Sequence, residues 1–366
     1  MSDAIKKVKV LVVDDSAFAR LTISKYLATD PAIEVVGMAR DGLDALDKVK
    51  LLDPDVVTMD VEMPKLDGIG TLERIMAEHP RPVIMLSSIT AEGAEVTIRA
   101  LELGAIDFFL KPSLINPTGR DAVNNELIDK IKGAATIDVS KLVWQVKKLL
   151  AGTSRPVAAR PSPGQFGEKP RRVVIIGSST GGPRALYEVV PGIPADIPAT
   201  VVIVQHMPAK FTKSMADRLN EISRIPVKEA EAGDRLLTGH ALVAPGGFHM
   251  VITPGGGIEL TLDKAVCGLR PAIDVTMQSL VRHYGASCLG VILTGMGSDG
   301  TNGCAMIKAA GGNVISEDQS TCVIYGMPRS VAEAGLPDYV LPLHHIANEI
   351  VNYCHKSAKK DARVSV

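Results

Sequence analysis

Several features that would point this chain elsewhere are absent. No run of about 18 apolar residues occurs, so no segment is expected to insert in a membrane. Neither sign of charge is in excess. Forty Lys and Arg face 41 Asp and Glu for a net charge of −1, which argues against a nucleic-acid or other polyanion partner. The opening residues Met1-Ser2-Asp3-Ala4-Ile5-Lys6-Lys7 lead straight into an apolar strand without an h-region, so no signal peptide is expected. The five cysteines (Cys267, Cys288, Cys304, Cys322, Cys354) are odd in number and lack C-x-x-C spacing. They read as small buried thiols in a reducing cytoplasm, not as disulfides or zinc ligands. H-E-x-x-H does not occur, and His240 and His249 are a candidate metal pair without a supporting motif.

What is present is 366 residues, 46% of them hydrophobic and 22% charged, a balance suited to two or three soluble domains with real cores. Residues 1–113 alternate strand and helix five times. The strands read Val8–Val13, Ile33–Ala39, Asp55–Asp60, Pro82–Ser87 and Ile106–Leu110. Amphipathic segments near Ala17–Ala28, Gly42–Leu51, Ile69–Glu78 and Gly93–Leu103 fill the gaps. This pattern predicts a parallel sheet covered on both faces, with functional residues beyond the carboxyl ends of the strands. Those ends carry Asp14-Asp15, Asp60, Ser87-Ser88 and Lys111-Pro112. An acid after a strand is often only a loop cap, but this set brings three carboxylates, a hydroxyl and an ammonium to one edge. Three anions together repel and call for a cation, and hard oxygen donors favour Mg²⁺. The arrangement suits phosphoryl transfer onto Asp60.

The second half opens on Val173-Val174-Ile175-Ile176-Gly177-Ser178-Ser179-Thr180-Gly181-Gly182-Pro183, which reads as buried strand, tight turn and helix. Gly177 to Gly181 matches G-x-S-x-G, a pattern that exposes a serine at a strand-to-helix turn. A second strand, Ala199–Gln205, ends at His206, and another, Cys288–Leu293, leads to Thr294-Gly295-Met296-Gly297-Ser298-Asp299-Gly300. Between them, Val227–Ala232, His240–Ala244, His249–Thr253 and Ile258–Leu262 are separated by glycine-rich turns and read as short antiparallel strands beside a parallel sheet. Gly255-Gly256-Gly257 lacks the ending of a phosphate loop and reads as a hairpin turn. Helices are expected near Arg184–Val190, Thr212–Ile222, Ile273–His283, from Thr301, Pro328–Gly335 and His344–His355, with a strand at Asn313–Ser316.

A serine near neutral pH needs a base, a histidine has the right pKa for that task, and a carboxylate would orient the imidazole. Ser179, His206 and Asp299 offer these groups at three strand ends. N–H groups around Thr180–Gly181 and Met296-Gly297 could receive an oxyanion. The order Ser, His, Asp is not that of α/β-hydrolases. On residue chemistry alone, a serine hydrolase and a dinucleotide- or phosphate-binding loop both remain open. Residues 121–150 read as helical, with Leu142, Trp144, Val146, Leu149 and Leu150 forming an apolar stripe suited to packing on a neighbouring domain. A linker rich in Pro, Gly and small residues falls within 152–170.

Residues 8–112, with Met63-Pro64-x-x-Asp67-Gly68 and Lys111-Pro112, resemble the response-regulator receiver family. That resemblance implies Asp60 as phospho-acceptor, Asp14, Asp15 and Asp60 as Mg²⁺ ligands, Lys111 as a further positive charge in the switch set, Ser87 as the hydroxyl that moves to the phosphoryl group and Phe108 as the switch aromatic. The set Gly177–Pro183, Gln205-His206-Met207-Pro208, Ala244-Pro245-Gly246-Gly247-x-His249, Thr294-Gly295-Met296-Gly297-x-Asp299-Gly300 and Tyr325-Gly326-Met327-Pro328 resembles the CheB chemotaxis methylesterase domain. It implies Ser179 as nucleophile, His206 as base, Asp299 as orienting acid, and Thr180 and Met296 at the oxyanion. The expected organisation is a (βα)5 receiver at 1–120, a helical connector and linker at 121–171, and at 172–358 a doubly wound, mainly parallel α/β catalytic domain with an antiparallel β insertion.

The function implied is demethylation of γ-glutamyl methyl esters, and deamidation of glutamines, on chemoreceptors. A chemotaxis histidine kinase would be the phosphodonor, and the esterase step would use no cofactor. The apolar stripe and linker suggest that the receiver covers the Ser179 edge until Asp60 is phosphorylated. The alternative is a response regulator whose second domain binds a partner without useful catalysis. A DNA-binding output is disfavoured, because the second half is strand-rich and has no basic helix-turn-helix.

Overall fold

The structure, a computed structural model, describes residues 6–88, 90–111, 120–139 and 170–361. The Trp144 stripe, Pro112 and nearly all of the expected linker lie outside the described residues. The chain divides into two compact units, residues 1–152 and 153–366.

In the first unit, strands β1 (Val8–Val13), β2 (Ile33–Ala39), β3 (Val56–Asp60), β4 (Val83–Ser87) and β5 (Asp107–Leu110) form one parallel sheet in the order β2-β1-β3-β4-β5. Helices α1 (Ala17–Leu27), α2 (Gly42–Leu52), α3 (Gly68–Glu78) and α4 (Ala91–Glu102) connect the strands, and α5 (Arg120–Ala134) follows. Each of the first four starts on a side-chain cap: Ser16, Asp41, Asp67 and Thr90 accept the N–H of Ala19, Asp44, Gly70 and Gly93. Thr90 explains why α4 begins two residues before the apolar periodicity does. The middle strands β3 and β4 are buried along their whole length and mainly apolar, as expected of parallel strands covered on both faces. The winding reverses between β1 and β3, which places a crevice where Asp14-Asp15 and Asp60 emerge.

The second unit is built on a seven-stranded sheet, β14-β13-β12-β6-β7-β9-β8. Its strands are β6 (Val173–Ser178), β7 (Thr200–Gln205), β8 (Val227–Glu229), β9 (Ala241–Val243), β12 (Cys288–Ile292), β13 (Asn313–Glu317) and β14 (Tyr339–Leu341), and every paired neighbour runs parallel. A separate antiparallel pair, β10 (His249–Ile252) and β11 (Ile258–Thr261), supplies the insertion. The helices are α6 (Gly182–Val189), α7 (Phe211–Ile222), α8 (Ile273–Tyr284), α9 (Thr301–Ala309), α10 (Met327–Glu333) and α11 (Leu343–Asp361). Val173, Ile175, Val202, Val204, Met277 and Leu280 lie in one fully buried core with the two antiparallel strands packed on it.

Two of the four short strands expected to be antiparallel, β8 and β9, are parallel members of the main sheet. Their glycine-rich ends look like hairpin turns, but the chain between them crosses over instead of reversing. The three-residue edge strand β14 gives too short a pattern to be read from sequence. All five cysteines are free, as expected, but only Cys288, Cys304 and Cys354 are buried; Cys322 is half-buried and Cys267 is exposed. Among the described residues no helix is long and apolar enough to cross a membrane.

Candidate functional site

Strand pairing assembles the second unit's site. β6 and β7 run in register to Ser178↔Gln205, and the His206 N–H donates to the Ser178 carbonyl at 3.1 Å, so Ser179 and His206 leave the ends of neighbouring strands. β12 flanks β6 on the other side, with Ile292 opposite Gly177, and delivers the loop that carries Asp299. β6 is where the winding reverses, between β7 and β12, so the site sits at the sheet's switch point.

The turn after β6 is made by glycines. Gly182 N–H closes onto the Ser179 carbonyl at 2.7 Å, and Gly181 takes φ +78°, open to glycine without cost. A Cβ on Gly182 would lie 2.0 Å from Gln205 Oε1, and one on Gly295 would lie 2.8 Å from the Ser179 Cβ. The fully buried Ser178 hydroxyl donates to Gln205 Oε1 (2.6 Å), and Gln205 Nε2 donates to the Ser179 carbonyl (2.9 Å). This pair ties the end of β7 to the serine turn.

His206 Nε2 lies 2.8 Å from Asp299 Oδ2, and both side chains are almost wholly buried. The Asp299 carboxylate also accepts the N–H of Ile273 (2.7 Å), Asp274 (3.0 Å) and Gly300 (3.0 Å). Burial pushes its pKa up, but the His206 bond and charge and the N–H groups of Asp274 and Ile273 outweigh that and hold it below the usual carboxylate range. An ionised Asp299 accepts only, so His206 Nε2 carries the proton and Nδ1 is left with its lone pair. The Ser179 hydroxyl makes no hydrogen bond to another described residue, so His206 and Asp299 are joined and Ser179 is adjacent to them. Thr180 is buried, its carbonyl accepting from Thr294 Oγ1 at 3.0 Å. Met296 is half-buried on the facing turn, and its N–H donates to no other described residue.

In the first unit, carboxylate oxygens of Asp14, Asp15 and Asp60 lie within 4.8 Å of one another. Lys111 Nζ reaches Asp14 Oδ2 (2.9 Å) and Asp60 Oδ2 (2.5 Å). Burial raises the Asp60 pKa to about 6 against the lowering effect of Lys111, with Asp14 adding to the rise. Three hard carboxylate oxygen donors this close together fit a Mg²⁺ ion. Ser87 is buried against α4, its Oγ hydrogen-bonded to Thr97 Oγ1 at 2.8 Å. Phe108 is buried, with the Lys130 ammonium 5.5 Å from its ring centroid and bonded to its carbonyl at 2.8 Å. His249 uses both ring nitrogens on backbone groups: Nδ1 accepts from Ala272 N–H and Nε2 faces the Lys264 carbonyl, each at 3.3 Å. The His240/His249 metal pair is therefore set aside.

The CheB methylesterase family model matches residues 174–350, and the response regulator receiver domain model matches residues 10–117. A protein-glutamate methylesterase/protein-glutamine glutaminase of Symbiobacterium thermophilum is 50% identical across 96% of this chain and 98% of its own length. Proteins of the same name from Thermotoga maritima and Lawsonia intracellularis are 44% and 43% identical across 96% and 95% of this chain and 99% of their own lengths. The chain belongs to the CheB methylesterase family. Its CheB domain follows a receiver domain, with both sheets parallel and one small antiparallel pair.

Three residues of this CheB domain carry the site without having been given a role by sequence reasoning. Gln205 stands directly before His206. Asp274 lies in the first turn of α8. Glu317, fully buried, ends β13 and accepts the Thr294 N–H at 2.8 Å. Thr294 in turn accepts the Ser179 N–H on its carbonyl at 3.1 Å, so Glu317 steadies both the serine and the Met296 turn. Its place at a strand's carboxyl end is the signal that pointed to Asp60, and the same rule would have found it.

Proposed function

We propose that the second unit is a protein-glutamate methylesterase and protein-glutamine glutaminase that demethylates γ-glutamyl methyl esters, and deamidates glutamines, on chemoreceptors during chemotaxis adaptation. The observation that carries this reading is the His206–Asp299 pair at 2.8 Å beside Ser179, in a chain of the CheB family. The Ser179 hydroxyl attacks the side-chain carbonyl as His206 Nδ1 takes its proton. Asp299 keeps the proton already on Nε2 and stabilises the imidazolium. N–H groups of Met296 and Thr180 receive the oxyanion of the tetrahedral intermediate. His206 returns the proton to the departing methoxide, and methanol leaves. A water then attacks the acyl-serine with the same proton relay and frees the glutamate. A glutamine substrate follows the same path with ammonia leaving.

In the receiver, Asp60 takes a phosphoryl group from a chemotaxis histidine kinase, and the phosphorylation state sets the esterase rate. Mg²⁺ would be held by Asp14, Asp15 and Asp60 and would neutralise charge on the transferring phosphoryl group. Lys111 holds Asp60 and Asp14 ready, and Ser87 and Phe108 respond to the modified acid. The substrate lies on the cytoplasmic helices of the receptors, so the protein acts in the cytoplasm. The test is methanol release from methylated receptor membranes by wild type and by Ser179→Ala. Release by wild type only is expected; equal release by both sinks the enzyme reading and leaves a partner-binding module.

A further inference from the structure

Asp299 and Asp274 exchange places. Asp299 precedes α9, yet its carboxylate accepts the N–H groups of Ile273 (2.7 Å) and Asp274 (3.0 Å) at the start of α8. Asp274, in the first turn of α8, does the reverse. Its Oδ1 accepts the N–H groups of Gly300 (2.9 Å) and Gly303 (2.7 Å) at the start of α9, and its Oδ2 accepts Asn302 Nδ2 at 3.0 Å. Neither helix caps itself: Ala272 and Gly300, at the two N-cap positions, make no side-chain cap bond. Each helix start is capped by the acid that belongs to the other. The helices must be close for this, and a Cβ on Gly303 would lie 2.5 Å from the Met277 Cβ.

We infer that Asp274 is a positioning residue for the hydrolase, fixing the Gly300 peptide and thereby holding Asp299 on His206. The inference rests on the Ser-His-Asp reading above. Gly300 sits at φ +96°, a region glycine enters and leaves without steric cost, so the peptide after Asp299 is held by its hydrogen bonds and not by its own backbone. Its N–H is shared between Asp274 Oδ1 (2.9 Å) and Asp299 Oδ1 (3.0 Å). Two carboxylates this close repel, and they are tolerated because each rests on N–H groups at a helix start. Without Asp274, the Gly300 and Gly303 N–H groups lose an acceptor. Asp299 is then the one carboxylate left for two helix starts, and it is drawn off His206 Nε2.

The experiment is proton NMR of the full chain with ¹⁵N-labelled histidine, alongside steady-state methanol release. The His206 Nε2 proton, hydrogen-bonded to a carboxylate, resonates far downfield and is assigned by its loss in His206→Ala. Asp274→Ala is expected to lose that signal and to lower kcat about 100-fold with KM little changed, the effect of a misplaced catalytic group. Asp274→Asn keeps an amide oxygen for the Gly300 and Gly303 N–H groups and is expected to retain both the signal and most of kcat. Should the alanine protein not fold, Asp274→Glu replaces it: the charge stays, the carboxylate is displaced by a methylene, and the same loss is expected. A folded alanine or glutamate variant with the signal unmoved overturns the inference, as does an asparagine variant that loses as much as alanine. Wild type that shows the signal and releases no methanol counts against the hydrolase reading alone, and the signal comparison still decides whether Asp274 holds Asp299.

Discussion

His206 has one ring nitrogen engaged by an ionised carboxylate and one left over, and that asymmetry sets the direction of proton flow. Asp299→Asn reverses it. The amide presents an N–H to Nε2, the imidazole proton moves to Nδ1, and the nitrogen meant to accept from Ser179 becomes a donor. A fall in kcat of about 10⁴-fold with KM little changed is expected in the methanol assay. Glu317 makes a second prediction at this scale. Burial drives its pKa up to about 7, outweighing the Thr294 N–H, Thr321 hydroxyl and Cys322 bonds that favour the anion. An acid whose folded pKa is raised costs stability as pH climbs from its unfolded pKa through its folded one. Glu317→Gln, which can still accept the Thr294 N–H, removes that cost. The variant should therefore gain stability relative to wild type between pH 5 and pH 8, by an amount on the order of 3 kcal/mol at most. Thermal melts of both proteins across that range check it, and a flat difference contradicts it. Ser179, His206 and Asp299 were legible because each follows a strand in a glycine-marked or short loop. Gln205 and Asp274 were not singled out, because their partners, the Ser178 hydroxyl, the Asn302 amide and backbone groups, are brought near only by folding; Glu317 follows the strand read as ending at Ser316, where the strand-end rule points to it.

Elements with one physical signal were legible, and elements with two competing signals were not. The covered parallel strands are short, mainly apolar runs rich in Val and Ile, and the receiver helices begin at Ser, Asp and Thr caps, so both were read to within a residue or two. β8 and β9 combine short length with Gly-Asp and Pro-Gly-Gly ends, which favour a hairpin locally, and only the neighbouring β7 supplies the parallel alternative. The link between β4 and α4 leads to a third prediction. Ser87 Oγ, Thr97 Oγ1 and the Gly93 carbonyl are joined by bonds of 2.8 Å and 2.6 Å, which hold the Ser87 hydroxyl against the helix. Thr97→Val keeps the shape and removes the hydroxyl, so turning Ser87 toward a phosphoryl group costs about 1 kcal/mol less. Steady-state phosphorylation by acetyl phosphate with Mg²⁺ should half-saturate at about fivefold lower donor concentration. An unchanged titration would show that this contact does not restrain Ser87.

At the scale of the whole molecule, the chain joins the acidic pocket of a receiver domain to a CheB domain, each site at the switch point of its own parallel sheet. Both crevices follow from winding order, β1 against β3 in one unit and β6 between β7 and β12 in the other. That logic, carried by strand ends, drew attention to both crevices from sequence, while the choice of a hydrolase over a phosphate-binding loop came from the resemblance of the glycine-rich motifs to the CheB family. The central claim is that Asp60 governs the hydroxyl of Ser179. Its most direct test is methanol release from methylated receptor membranes by the full chain, with Mg²⁺, before and after adding acetyl phosphate. The account predicts that release rises with the phosphodonor in wild type, stays at the basal rate in Asp60→Asn, and is absent in Ser179→Ala. Release that responds equally in wild type and Asp60→Asn would contradict it.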